Sequence, residues 1–251
     1  MTLLQKQVKP TKLAPVKGFV IYEGPSALDG APVVAIITLS SNNAKTGNMI
    51  QSWIMRADML PTEAAKTGQD DSICGNCIHR HFNKGACYVN IGHAPLAIFK
   101  AYKRGAYPIY NDAIHSRYIV GRALRMGSYG DPAAIKHGVW SELLAHTASH
   151  TGYTHQINHI GFDPAFLSTC QVSADSPKQA LKYQSMGAMT FRVAMAGDSL
   201  IKGEIQCKAD THGISCLDCK LCDGASQNVV IEVHGSRSKR FNTRLIETVG
   251  V

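Results

Sequence analysis

Apolar and polar positions along this chain fall into short blocks whose period changes in a regular order. The run Val33 to Leu39 is β-branched and apolar throughout, the pattern of a strand buried on both faces. The stretch after it, SSNNAKTGN, is turn chemistry that also offers small donors and a lysine. Met49 to Met59 fits helix or strand equally, with Pro61 as its stop, and Pro95 opens a helix over Leu96 to Arg104. From about residue 117 the blocks alternate. Tyr118 to Met126 reads as strand, and Ala133 to His150 is amphipathic, with Val139, Leu143 and Leu144 on one helical face. A short strand ends at Gly152-Tyr153-Thr154-His155, and Phe166 to Ser173 reads as another. Ser176 and Pro177 supply the N-cap and first-turn proline of a helix through Met186, Gly187 ends it, and Met189 to Ala194 is a further strand.

This alternation predicts parallel βαβ units, hence an α/β fold, with a partial or irregular TIM-type barrel as the expected architecture. Residues 1–30 are basic and then rich in Pro, Gly and Ser, which reads as an N-terminal arm or peripheral hairpin ahead of a single α/β domain over 31–251. Sites in such folds form at the carboxyl ends of strands. Here those ends are polar: Gly127 to Pro132, Tyr153 to Gln156, and Ser173 to Asp175. Tyr129, Asp131, Tyr153, His155 and Asp175 are therefore candidates for proton transfer or for holding a small ligand. The simpler alternative for the two aspartates is helix capping at Pro132 and Pro177.

Composition narrows the class. A chain of 251 residues, 45% hydrophobic, can bury a substantial core. Apolar runs such as Ala31 to Ile37 fall far short of the roughly 18 residues that span a bilayer, and MTLLQKQVKPTK has no signal-peptide core, so neither a membrane nor a secreted setting is expected. The net charge of +8 favours anionic partners, and the basic stretch His234 to Arg240 makes nucleic acid one of them, though such runs are usually solvated faces.

The eight cysteines change the picture most. In a reducing compartment clustered cysteines more often bind metal than pair as disulfides. Cys207, Cys216, Cys219 and Cys222 form a C-x8-CxxCxxC set. Two residues between successive cysteines let a loop curl so that three thiolates reach three irons of a 4Fe-4S cubane, with a distant cysteine on the fourth. Zinc also takes four cysteines, but its structural sites usually pair two CxxC knuckles. Cys74, Cys77 and Cys87, with His79, His81 and His93 nearby, form a second set that suits a three-thiolate 4Fe-4S cluster or a Cys3His zinc site, or that shares one composite cluster with the first. Cys170, alone in an apolar stretch, reads as a buried bystander, or as the thiol that closes the second set.

The strings KTGNMIQSWI, CGNC with CYV, GRALRMGSYGDPA, TGYTH, VSADS and the terminal cysteine cluster before His234-Gly235 together resemble a bacteriophage protein family that carries two cysteine-cluster loops. The resemblance covers most of residues 45–235 and implies a viral origin and residence in the cytoplasm of the infected bacterial host rather than an activity. The chain is also similar in plan to radical S-adenosylmethionine enzymes, whose partial barrels hold a three-cysteine 4Fe-4S cluster. It departs from their signature of three and then two residues between cysteines, since two and then nine separate Cys74, Cys77 and Cys87.

The expected function is redox: electron transfer to a partner protein, or an electron-dependent reaction on a small molecule at the strand ends. The alternative is a zinc-stabilised protein that binds nucleic acid.

Overall fold

The computed structural model describes residues 15–235 and 237–241, so residues 1–14 of the arm or hairpin expected over 1–30 lie outside them. Ten strands form two five-stranded sheets. The first contains β1 (Gly18–Pro25), β2 (Pro32–Thr38), β3 (Ile50–Arg56), β4 (Ala123–Tyr129) and β5 (Ser149–Thr151), side by side in chain order. The second runs β6 (Tyr153–Thr154), β7 (Gln171–Ala174), β8 (Thr190–Ala194), β10 (Asn228–Glu232) and β9 (Glu204–Gln206). Only β1 with β2 and β2 with β3 pair antiparallel; every other neighbour is parallel. The fold is thus α/β and mostly parallel, as the block order predicts. Neither sheet closes on itself, so the expected TIM-type barrel is not present as a closed barrel in the described residues.

Among the described residues, helices that connect or flank these strands include α1 (Pro61–Thr67), α2 (Asp71–Cys74), α3 (Ala94–Lys103), α4 (Asp112–His115), α5 (His137–Leu144), α6 (Pro177–Ser185), α7 (Lys208–Thr211) and α8 (Cys216–Cys219). Several readings of the sequence shift. Met49 to Met59 resolves as strand β3 because β2 and β4 flank it on both sides and Ile54 and Met55 are wholly buried; Pro61 begins α1 at its first turn instead of ending the segment. The strand expected over Phe166 to Ser173 is split. Asp163 caps a 3-10 turn at Pro164–Ser168 by accepting from the Ala165 amide at 2.9 Å, and only Gln171–Ala174 is extended. Tyr118 likewise belongs to a 3-10 turn ahead of β4.

The main core lies under the first sheet, where Phe19, Ile36, Ile37, Ile54, Met126 and Trp140 are at most 1% exposed. Phe19 and Val20 of β1 are buried in it, so the chain from Gly18 onward is integral to the sheet.

One break positions the site. Gly152 separates β5 from β6 and is the point where the two sheets meet along the chain. A Cβ there would sit 2.7 Å from the Cys170 sulfur and 2.8 Å from the Thr169 carbonyl oxygen, so only glycine fits. Its amide donates to the Cys222 carbonyl at 3.0 Å, and its carbonyl accepts from the Gln171 amide at 2.9 Å.

The second sheet carries little apolar core and relies on a buried ion pair. Arg192 of β8 donates from Nε and Nη2 to the two carboxylate oxygens of Glu204 at 2.8 and 2.7 Å, with both side chains fully buried. Such a pair contributes little net stability, yet breaking it strands a charge. Arg192→Ala should therefore destabilise the protein by about 3–5 kcal/mol in denaturant unfolding, whereas the apolar double replacement Arg192→Met with Glu204→Leu should be close to neutral. A single-variant loss below about 1 kcal/mol would show that the pair is solvated.

Candidate metal centres at the strand ends

The CGNC loop is held in place by a polar brace built at the end of β6. Gln156 is wholly buried. Its Nε2 donates to the Cys74 carbonyl at 2.9 Å and to Asp131 Oδ2 at 3.2 Å, and its Oε1 accepts from the Asn76 amide at 3.3 Å. Gly75, between the first two cysteines, has φ +48, and a Cβ on it would lie 2.1 Å from Gln156 Oε1. The glycine of CGNC is thus required by both backbone conformation and close approach. A second clamp comes from Arg80, which pairs with the buried Asp70 and donates to the carbonyls of Gly68 and, at 3.2 Å, of Gly75.

Three thiols gather on this scaffold. Burial, then the neighbouring Cys77, Asp70, Cys87 and Asp131, push the Cys74 thiol well above its usual pKa. Burial likewise raises Cys87 to about 11. Cys77 and Cys87 both act on Cys74, and Cys77 acts on Cys87, so the three thiols are electrostatic neighbours. With these raised pKa values the Cys74 and Cys87 thiols are protonated near neutral pH, so a cation binding there must displace protons.

The other polar candidates take distinct places. Asp131 caps the 3-10 turn at Pro132–Ala134 through the Ala133 amide and also accepts from the His155 amide at 2.8 Å; burial raises its pKa despite those bonds. The capping alternative is therefore the observed one for Asp131, which positions other groups. For Asp175 it is not. Ser176 caps α6 by accepting from the Gln179 amide at 3.2 Å, and Asp175 instead accepts from His79 Nε2 at 2.7 Å. Burial alone would raise the Asp175 carboxyl, but His155 and His79 hold it well below the usual carboxylate range. Tyr129 is buried with a hydroxyl that has no hydrogen-bond partner among the described residues; burial and then Cys74, Asp70 and Cys87 raise its pKa well above the usual value.

The four C-terminal cysteines are electrostatic neighbours of one another. Cys207 follows β9 directly and its amide donates to the Val230 carbonyl at 2.8 Å. Cys216 and Cys219 are the ends of the single turn α8, capped by Ser215, and Cys222 is buried with its carbonyl on Gly152. Burial raises Cys222 to about 12, with Cys207, Cys216 and Cys219 adding to the rise. The KTGN string has its role here: the Lys45 and Thr46 carbonyls accept from the Cys216 and Leu217 amides at 2.9 and 3.2 Å, and Lys45 Nζ pairs with Asp210 at 2.8 Å. No sequence pattern marks this loop as the dock for residues so distant in the chain.

The two centres adjoin. Beyond the effect of burial, Cys222 raises the Tyr153 pKa, while Cys77 raises that of His155, two residues further along, against the effect of burial. An extended chain separates such positions by about 7 Å. A second path runs from Cys87 to its neighbour Tyr88, whose hydroxyl accepts from Arg125 at 2.8 Å. Arg125 lies over the Tyr153 ring at 5.8 Å, and its charge lowers the Cys216 pKa against the rise from burial. Tyr153 thus neighbours Arg125, Cys216 and Cys222.

Cys170 is fully buried; burial and then Asp131 raise its pKa. Sequence reasoning did not anticipate the roles of Gln156, Arg80 and Arg125. It also left the basic tail as a solvated face, whereas Arg237 lies 3.1 Å from His81 Nε2 and the buried Phe241 stacks on His79 at 5.5 Å, both over the first cysteine loop. Ser236 lies outside the described residues.

Gly75→Ala should unseat the loop. The expected outcome is a loss of about 1–3 kcal/mol and faster labelling of Cys74 by a thiol reagent in the metal-free protein, followed by peptide mass mapping. Unchanged labelling would contradict the brace.

Comparison with family models, with curated proteins and with solved structures finds no match to this chain.

Proposed function

We propose that this protein is an iron-sulfur redox protein in which Cys207, Cys216, Cys219 and Cys222 bind a 4Fe-4S cluster and Cys74, Cys77 and Cys87 bind a second. The observation that carries this reading is the C-x8-CxxCxxC spacing of four thiols along the chain, which lets a short loop place three thiolates on three irons. Among the described residues, the group of His, Cys, Asp and Glu ligand atoms lying mutually within 4.8 Å is His79, His155 and Asp175, with no trio of cysteines. A zinc ion with bonds of about 2.3 Å draws its thiolates to about 3.8 Å from one another. A cubane places each thiolate on a different iron and spaces them more widely.

The surroundings supply what an anionic cluster needs. The Arg125 charge lowers the Cys216 pKa, Lys45 adjoins the same loop, and Tyr153 neighbours Cys222. Cations of this kind favour the reduced, more negative state. We read the two sheets, joined through Gly152, as parts of a partial TIM-type barrel with both centres along its strand ends. Three thiolates leave one iron free for a small molecule or an added ligand, with Tyr129 and His155 beside it. The two centres, joined through Tyr153–His155 and Tyr88–Arg125, would pass electrons between a partner protein and that position. Inside a host cell the thiols stay reduced and free to bind iron. The zinc-stabilised, nucleic-acid-binding alternative draws less support, because Lys45, Arg125 and Arg237 are engaged by Asp210, Tyr88 and His81.

Purification without oxygen, with iron, sulfide and zinc assays, tests the proposal. The expected product is brown, absorbs near ~400 nm and carries iron and sulfide in equal amounts. Cys219→Ala should lose the C-terminal cluster and roughly half of the iron, a fraction that follows from two independent centres. Stoichiometric zinc without iron would refute the proposal, and full iron retention in Cys219→Ala would refute that ligand set. Arg125→Gln should lower the reduction potential of the C-terminal cluster by the order of tens of millivolts, because a cation that favours the reduced state is removed. A potential that is unchanged or higher in a redox titration would contradict the placement of Arg125.

A further inference from the structure

His155 Nε2 is buried and makes no hydrogen bond, with the nearest carboxylate oxygen, Asp175 Oδ1, at 3.7 Å. That distance is too long for a hydrogen bond. Buried polar atoms are nearly always satisfied, and an orphan one calls for an explanation such as an ion. His79 Nε2 lies 2.7 Å from the same Asp175 oxygen, and the side chains of His79, Asp175 and His155 are only 12%, 13% and 23% exposed.

We propose that His79, His155 and Asp175 form a mononuclear site for a divalent first-row transition metal, separate from the cysteine centres. Metal bonds of about 2.1 Å set neighbouring ligand atoms about 3.0 Å apart in an octahedron and about 3.4 Å apart in a tetrahedron. The separations of 2.7 and 3.7 Å bracket both, so small side-chain shifts would close the three groups on one ion. Two imidazoles and one carboxylate are the ligand set of facial sites that leave positions open for other ligands.

The fold supports the same assignment. His155 follows β6 and Asp175 follows β7, adjacent parallel strands paired through Thr154 and Val172, so both ligands stand at strand carboxyl ends where α/β sites form. His79 arrives from the cysteine loop, and the Phe241 ring stacks on it at 5.5 Å, covering one side. The site uses no thiolate as a ligand, so it stands or falls separately from the iron-sulfur reading.

Manganese(II) tests it, because this ion favours carboxylate and imidazole over thiolate. The full chain, purified without oxygen and dialysed against a chelator, is titrated with manganese while the free-ion magnetic resonance signal is followed. One saturable equivalent is expected, with spin-echo spectra of the bound ion showing histidine nitrogens. Asp175→Asn and His79→Gln should each weaken binding by about tenfold or more. No saturable equivalent, a bound ion without histidine nitrogens, or unchanged affinity in folded Asp175→Asn and His79→Gln would overturn the site. Should either variant fail to fold, the wild-type titration and its nitrogen couplings decide the matter. Iron and sulfide measured on the same samples report the cysteine centres independently.

Discussion

The candidate centres depend on one buried carboxamide. Gln156 joins the Cys74 carbonyl, the Asn76 amide and the Asp131 carboxylate, and so ties the first cysteine loop to the ends of β4 and β6 in a single interaction set. A buried amide left without these partners would cost roughly 1–3 kcal/mol for each unmet group, which makes the loop position strongly determined. Asp131, in turn, holds the His155 amide. The loop, the strand ends and the histidine are consequently one polar network, and removing any member exposes the others to unsatisfied burial.

A second constraint sets the distance between centres. Gly152 interrupts the sheet where the Cys222 carbonyl enters, so the C-terminal cysteine loop seats at the break between β5 and β6. Tyr153 lies in the two-residue strand β6 and His155 follows it, and different cysteines, Cys222 and Cys77, act on their titration. The arrangement converts a backbone defect into a shared wall, and the Arg125–Tyr88 bond closes the same wall from the neighbouring strand. The positive charge read from composition is used locally here, beside groups that would become more negative on binding a cluster.

How much of this could be read from the residues depends on the range of the interaction. The apolar run Val33 to Leu39, the Ser176-Pro177 start and the Met189 to Ala194 strand are local patterns, and each appears close to where those patterns put it. Both cysteine sets are local too, since their members lie within short loops. Capping by Asp163 at Pro164 competed with the β-branched run after it and shortened a strand, a choice that periodicity alone does not reveal. Strands β9 and β10 escaped notice because three and five residues beside a glycine-rich loop carry little pattern. The docking of Lys45 and Thr46 on the C-terminal cysteines, and the meeting of His79, His155 and Asp175, depend on partners roughly 80 to 170 positions apart, for which one sequence offers no periodic signal.

The central claim is that the cysteine sets hold clusters of iron and sulfide and not single ions. X-ray absorption at the iron edge of protein purified without oxygen addresses it directly, because neighbouring irons scatter as a distinct shell. The account predicts an iron-sulfur shell together with an iron-iron shell at the short distance found only where sulfide bridges metals. An iron-sulfur shell alone, or absorption by zinc in place of iron, would contradict it.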